Sequence, residues 1–246
     1  MNGGDRLILV ARPPELFDLA ARRFAAAVGE AVEARGVARV ALAGGSTPAG
    51  LYRILAGADF RSRVAWDRVH FYWGDERCVP PENPASNYGM ARNLLLSHLP
   101  ILPASVHRMP GEIDPTDGAA RYHATLVSDF GQESEAPPVF DWILLGLGVD
   151  GHTASLFPLS PSLSIRDRWT AAVKPPGGLA RLTLTLPVLN AARQVHFLAT
   201  GEEKARMFLR ASGQGGEPGP DCPASLVRPE NGRLVWMVDP AAAILA

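Results

Sequence analysis

Asp150-Gly151-His152 sets a carboxylate and an imidazole two residues apart around a glycine. In a turn, such a pair can face one cleft, with His152 as a general base and Asp150 as its orienting partner. The triplet follows the apolar run Trp142 to Leu147, long enough for a buried parallel strand, so it lies where open α/β sheets place their ligands. A structural histidine in a turn fits the triplet equally well. Gly146, Gly148 and Gly151 also match the dinucleotide spacing G-x-G-x-x-G, between a strand and an expected helix. That reading lacks a convincing βαβ context with an acidic residue about 20 positions on.

Two more segments place reactive types directly after strands. Ala43-Gly44-Gly45-Ser46-Thr47-Pro48 lies between the strand Val40 to Ala43 and the helical run Leu51 to Leu55. Glycines allow close backbone approach, Ser46 or Thr47 can cap the helix, and Pro48 suits its first turn, so free amides and the positive helix end suit a phosphate. No lysine follows at P-loop spacing. Trp73-Gly74-Asp75-Glu76-Arg77-Cys78-Val79-Pro80 follows the strand Val69 to Trp73. It reads either as a solvated loop or as an inward Arg77 fork for phosphate or carboxylate, with Asp75 as partner of Arg77 or of a sugar hydroxyl. Lys174, Arg181 and Lys204 are further cations, the last two at strand ends. Neither Ser46 nor Ser155 stands in a nucleophile elbow, and the histidines and cysteines show no metal-ligand spacing.

The elements that must position these groups are apolar segments at Leu7 to Val10, Val40 to Ala43, Val69 to Trp73, Trp142 to Leu147, Leu182 to Leu186, Val195 to Ala199 and Leu234 to Val238. Helical patterns separate several of them, which predicts an α/β fold with a mainly parallel sheet and helices on both faces. The first helix buries Leu16, Ala20, Phe24, Ala27, Val28 and Ala31 and stops at Gly36. Ser86 opens another capped helix. Loops are expected over 131–138 and 212–220, both short for interdomain linkers, so residues 1–246 read as a single domain. No internal repeat points to a solenoid.

With 24 basic and 25 acidic residues the formal net charge is −1, so nucleic acid and anionic membrane are not expected partners. No signal peptide is legible, and no stretch approaches the roughly 20 apolar residues of a membrane span. Cys78 and Cys222 read as small hydrophobes of a reducing compartment, which predicts a cytoplasmic protein. The oligomeric state stays open, a monomer being compatible with the sequence.

The blocks Leu42 to Pro48, Trp73 to Pro80, Ser86-Asn87-Tyr88, Gly146 to Pro158, Lys174-Pro175-Pro176, Arg181 to Pro187 and Thr200 to Ala205 closely resemble the 6-phosphogluconolactonase family, in its order and over nearly the whole chain. The resemblance implies a three-layer αβα fold shared with amino-sugar-phosphate deaminases and ribose-phosphate isomerases. It also implies cofactor-independent hydrolysis of 6-phospho-D-glucono-1,5-lactone in the oxidative pentose phosphate pathway. His152 would be the general base, and Gly44, Gly45, Ser46 and Thr47 with Arg77, Arg181 and Lys204 would hold the sugar-phosphate lactone. Lys174 joins these candidate substrate contacts, and Asp75 either acts in catalysis or positions Arg77. The deaminases resembled carry a glutamate five residues after the histidine, where this chain has Phe157. A nonpolar ring cannot shuttle protons, so hydrolysis is preferred to deamination or isomerisation. A sugar-phosphate-binding regulator is disfavoured because no DNA-binding segment precedes residue 40.

Overall fold

The computed structural model describes residues 6–131 and 136–246. Five parallel pairings join six strands in the order β1 (Arg6–Val10), β9 (Arg233–Val238), β8 (Gln194–Ala199), β5 (Trp142–Leu145), β2 (Ala38–Leu42), β3 (Val69–Trp73). Strands β5 and β8 are buried almost throughout, which is why they read as continuous apolar runs and not as alternating ones. Helices α1 (Pro13–Arg35), α2 (Ser46–Leu55), α4 (Asn87–Leu94), α5 (Pro115–Phe130) and α7 (Ala205–Ala211) flank the sheet in a three-layer α/β arrangement, with short α3 (Ala58–Arg61) and α6 (Leu186–Ala191) between.

Alternation along β3 shows how both faces are covered. Phe71 stacks near Trp66, which stacks on Phe24 of α1, and Phe24 meets Trp142 of β5 edge-on at 5.1 Å. The next residue, Tyr72, turns to the opposite face and packs on Phe130 of α5 and Phe140. The apolar stripe expected for α1 is the one that is buried, and Gly36 ends that helix in the left-handed conformation, its N–H bonded to Val32 O.

The order of connection determines where a ligand fits. From β2 the chain moves outward to β3 and then crosses back to β5 on the other side of β2. Loops leaving β2 and β5 therefore diverge at their carboxyl ends and open a crevice between them.

Several local expectations change. β5 ends at Leu145, because Gly146 to Gly148 already leaves the sheet. The run from Leu182 is β7 (Arg181–Leu184), which pairs antiparallel with β4 (Asp75–Arg77) and β6 (Thr170–Val173) in a separate three-stranded sheet, and Leu186 begins α6. Asp75-Glu76-Arg77 is thus a strand with Asp75 and Glu76 buried, not a solvated loop. No α-helix opens at Gly151: turns and the Thr153–Leu156 bridge lead only to a four-residue 3-10 turn at Pro161–Ser164, and the dinucleotide reading loses its context. Of the loop expected over 131–138, residues 132–135 lie outside the described residues. No described helix is long and apolar enough to cross a membrane.

His196 on β8 is wholly buried, with Gln194 Oε1 at 3.1 Å from Nε2. Burial, helped by the charge of Arg23, lowers its pKa from 6.5 to about 3. The unfolded chain takes up this proton below pH 6.5 while the native state stays neutral down to about pH 3, so stability falls as pH drops through that window. The linkage amounts to roughly 2–3 kcal/mol between pH 7 and pH 4.5. Urea unfolding of His196→Gln at these two pH values should show a smaller difference than wild type by about that amount; an equal difference would remove His196 as its source.

Candidate active site

The crevice after β2 and β5 has two contiguous lobes. One is lined by Gly44, Gly45, Asp75, Arg77, Asn87, Gly146 to Gly148, His152, Ala154, Arg181 and Lys204. The other is lined by Gly44 to Pro48, Thr200, Gly201, Lys204 and Asp239. Gly44, Gly45 and Lys204 border both.

His152 and Asp150 meet as the triplet suggests. Nδ1 of His152 lies 2.6 Å from Asp150 Oδ1, which also accepts from the His152 backbone N–H at 3.1 Å. Donation from Nδ1–H leaves the Nε2 lone pair as the basic site of the ring. Partial burial works to raise the Asp150 carboxyl, but the His152 amide, the facing imidazole and the side-chain hydrogen bond outweigh it and hold the group below its usual value. Gly148 makes the dyad possible, because a Cβ there would overlap both the His152 ring and the Asp150 carboxylate.

Asp75 does not pair with Arg77. It is 7% exposed, accepts from Ser155 Oγ at 2.6 Å and from Asn87 Nδ2 at 3.1 Å, and lies 3.9 Å from Arg181 Nη1. The antiparallel register explains the change of partner: Arg77 sits opposite Arg181, and Asp75 sits opposite Thr183 on the inner side. Burial, and secondarily the nearby Arg77 charge, lower the Arg181 pKa against the pull of Asp75. Arg77 is steered by a hydrogen bond from Nη1 to Ala85 O. Glu76 turns the other way, accepting from the backbone N–H groups of Arg77, Asn87 and Tyr88 and from Ser86 Oγ at 2.7 to 3.0 Å. It thereby fastens β4 to the amino end of α4, where Ser86 also caps Gly89 N.

In the second lobe α2 begins without a side-chain cap. Gly45 takes the cap position, and Ser46 and Thr47 lie inside the first turn, so neither hydroxyl is spent on capping. Thr47 Oγ1 instead meets Thr200 Oγ1 at 3.0 Å, joining the corner after β2 to the corner after β8. Asp239 accepts from Gly201 N–H at 3.0 Å and holds that second corner. The resulting hollow offers first-turn amides of a ten-residue helix beside the Lys204 ammonium, a setting for a phosphate.

The structure brings together His152, Asp150, Asp75, Arg77, Arg181, Lys204 and the Gly44 to Thr47 turn. It does not bring Lys174, which is exposed beyond the end of β6 and lines neither lobe. Two neighbours are not legible as supporting residues in the sequence alone. Asn87 was legible only as the start of a helix, yet its side chain links Asp75 to the Gly44 turn. Ser155 reads from the sequence only as a serine outside a nucleophile elbow, whereas it is wholly buried and donates to Asp75. The Phe157 ring packs 4.9 Å from the His152 ring, with the Arg181 guanidinium 5.7 Å from its centre.

Residues 11–236 match the family model of glucosamine-6-phosphate isomerases/6-phosphogluconolactonase. The chain belongs to this family. A 6-phosphogluconolactonase of Synechocystis sp. is 40% identical over 216 residues, covering 87% of each chain. The solved 6-phosphogluconolactonase of Trypanosoma brucei superposes with a TM-score of 0.84 at 31% identity, over 99% of this chain and 100% of that one. A monomeric glucosamine-6-phosphate deaminase shares the fold at a TM-score of 0.80 and 23% identity, covering 98% and 100% of the two chains. Fold alone therefore does not separate the family's reactions, and side chains must.

A Cβ on Gly44 would overlap the Asn87 amide, which Asp75 holds through both its backbone carbonyl and its carboxylate. Gly44→Ala should destabilise the protein by roughly 1–3 kcal/mol. Gly44→Ala/Asn87→Ala should lose less than the two single variants add up to, because the second change vacates the space. Additive losses in urea unfolding would contradict the contact.

Proposed function

We propose that this chain hydrolyses 6-phospho-D-glucono-1,5-lactone to 6-phospho-D-gluconate, a step of the oxidative pentose phosphate pathway, and that residues 1–246 act as one domain. The observation that carries this reading is a His152–Asp150 dyad in the same crevice as Arg77 and Arg181, with an apolar ring at Phe157 packed against the base. Ring opening by a deaminase or isomerase calls for a further proton-transfer group, and a phenyl ring supplies none. Hydrolysis needs one base, cations for the developing oxyanion and a handle for the substrate.

The phosphate occupies the lobe of the Gly45 to Thr47 amides and Lys204, which leaves the lactone ring beside His152. Nε2 of His152 takes a proton from a water as its oxygen attacks C1, and Asp150 stabilises the imidazolium that forms. The carbonyl electrons move onto its oxygen, facing Arg77 and Arg181, whose charges stabilise the tetrahedral intermediate. Collapse re-forms the carbonyl and breaks the bond from C1 to the ring oxygen. The leaving alkoxide takes the proton back from His152, giving the open-chain acid and the free base. Two free thiols, Cys78 and Cys222, suit a reducing cytoplasm.

Proton release from freshly made phosphorylated lactone tests the reading. His152→Ala should lower kcat by about 10²-fold or more with KM largely kept, and Lys204→Ala should chiefly raise KM. Unphosphorylated gluconolactone should be a poor substrate. A wild-type rate no faster than spontaneous hydrolysis would reject the function, and equal loss of binding in both variants would reject this division of roles.

A further inference from the structure

The loop that carries His152 is closed on itself by Thr153 Oγ1 to Gly146 O at 2.8 Å and Gly148 N–H to His152 O at 2.8 Å. Those bonds shape the loop but do not determine where it stands relative to Arg77 and Arg181, which belong to the small sheet. Ala154, at φ 48° in the left-handed region that non-glycine residues seldom adopt, turns the chain between Thr153 and Ser155. After that turn Ser155 is wholly buried and makes two bonds to the small sheet: its N–H donates to Thr183 Oγ1 at 3.2 Å, and its Oγ donates to Asp75 Oδ2 at 2.6 Å. The same Asp75 oxygen is the one that faces Arg181 Nη1 at 3.9 Å.

We infer that Ser155 is a positioning residue, whose hydroxyl fixes the His152 base against the Arg181 cation through the shared Asp75 carboxylate. The alignment across the scissile carbonyl is thereby decided by a residue that touches neither water nor substrate. A backbone turned through Ala154 places the base, and one carboxylate oxygen serves both halves of the site. Small displacements of reacting groups cost much in rate, while Ser155 itself bonds only to Asp75 and Thr183 and makes no hydrogen bond to the first turn of α2 or to Lys204. Loss of the hydroxyl therefore acts on kcat and spares KM.

This inference rests on the lactonase reading. Ser155→Ala keeps the volume of the buried site nearly unchanged and should lower kcat by about tenfold, with KM within about twofold of wild type. Asp75→Asn should lower kcat as well. The double variant Ser155→Ala/Asp75→Asn should be no slower than Asp75→Asn alone to within about threefold, because both changes break one linkage. If Ser155→Ala does not fold, Thr183→Ala removes the other anchor of the same loop and should show the same split between kcat and KM. An unchanged kcat in the anchor variant, a rise in KM alone, or losses that multiply in the double variant would overturn the inference. A wild-type enzyme without lactonase activity would instead reject the reading on which it rests.

Discussion

A carboxylate kept 7% exposed must be surrounded by donors and a cation, or its burial would oppose folding. Asp75 meets this requirement by drawing in three separate parts of the chain. Ser155 comes from the loop after β5, Asn87 from the start of α4, and Arg181 from β7. These are the elements that wall the catalytic lobe, so the solvation of one buried charge also determines the shape of the crevice. Through Asn87 the constraint reaches Gly44, where the backbone must lack a side chain to lie against the amide.

Around this centre, charges are sorted by depth and by lobe. Arg77 and Arg181 face each other across the small sheet, and burial weakens the hold of Arg181 on its proton while Asp75 offsets the repulsion. The second lobe presents helix-end amides and Lys204, with Asp239 accepting from Gly201 N–H and so holding that corner. On the proposed mechanism, separating the handle from the reacting carbonyl lets substrate binding and rate be set by different residues. The parallel sheet supplies the rigid base for both, because the change of direction between β2 and β5 leaves their loops facing one crevice.

Much of this is legible in the sequence. The period of Leu16 to Ala31, the stop at Gly36 and the buried apolar strands follow from local rules, and the resulting αβα layering follows from their alternation. The Asp150–His152 pair was legible because its partners are two residues apart. The partner of Asp75 was not, since the hydroxyl that meets it is 80 residues away and the register of two three- to four-residue strands decides the pairing. Thr170–Val173 carries too little apolar signal to announce a strand; its place comes from pairing with β7. Gly45 took the cap position that Ser46 and Thr47 were expected to fill, because its φ of 104° lets the chain enter α2 at an angle open to few other residues. Lys174 has the right charge but is exposed one residue past β6, outside both lobes.

On the proposed mechanism His152 delivers water directly to the lactone carbonyl, although two carboxylates, Asp75 and Asp150, lie in or beside the same crevice. A single turnover with enzyme in excess, run in ¹⁸O-labelled water and followed by mass spectrometry of product and of protein peptides, tests this most directly. Direct attack predicts one labelled oxygen in the product carboxylate and none in the protein. Label in the peptide containing Asp75 or Asp150 would show that a side-chain carboxylate attacks first, and would contradict direct attack by water.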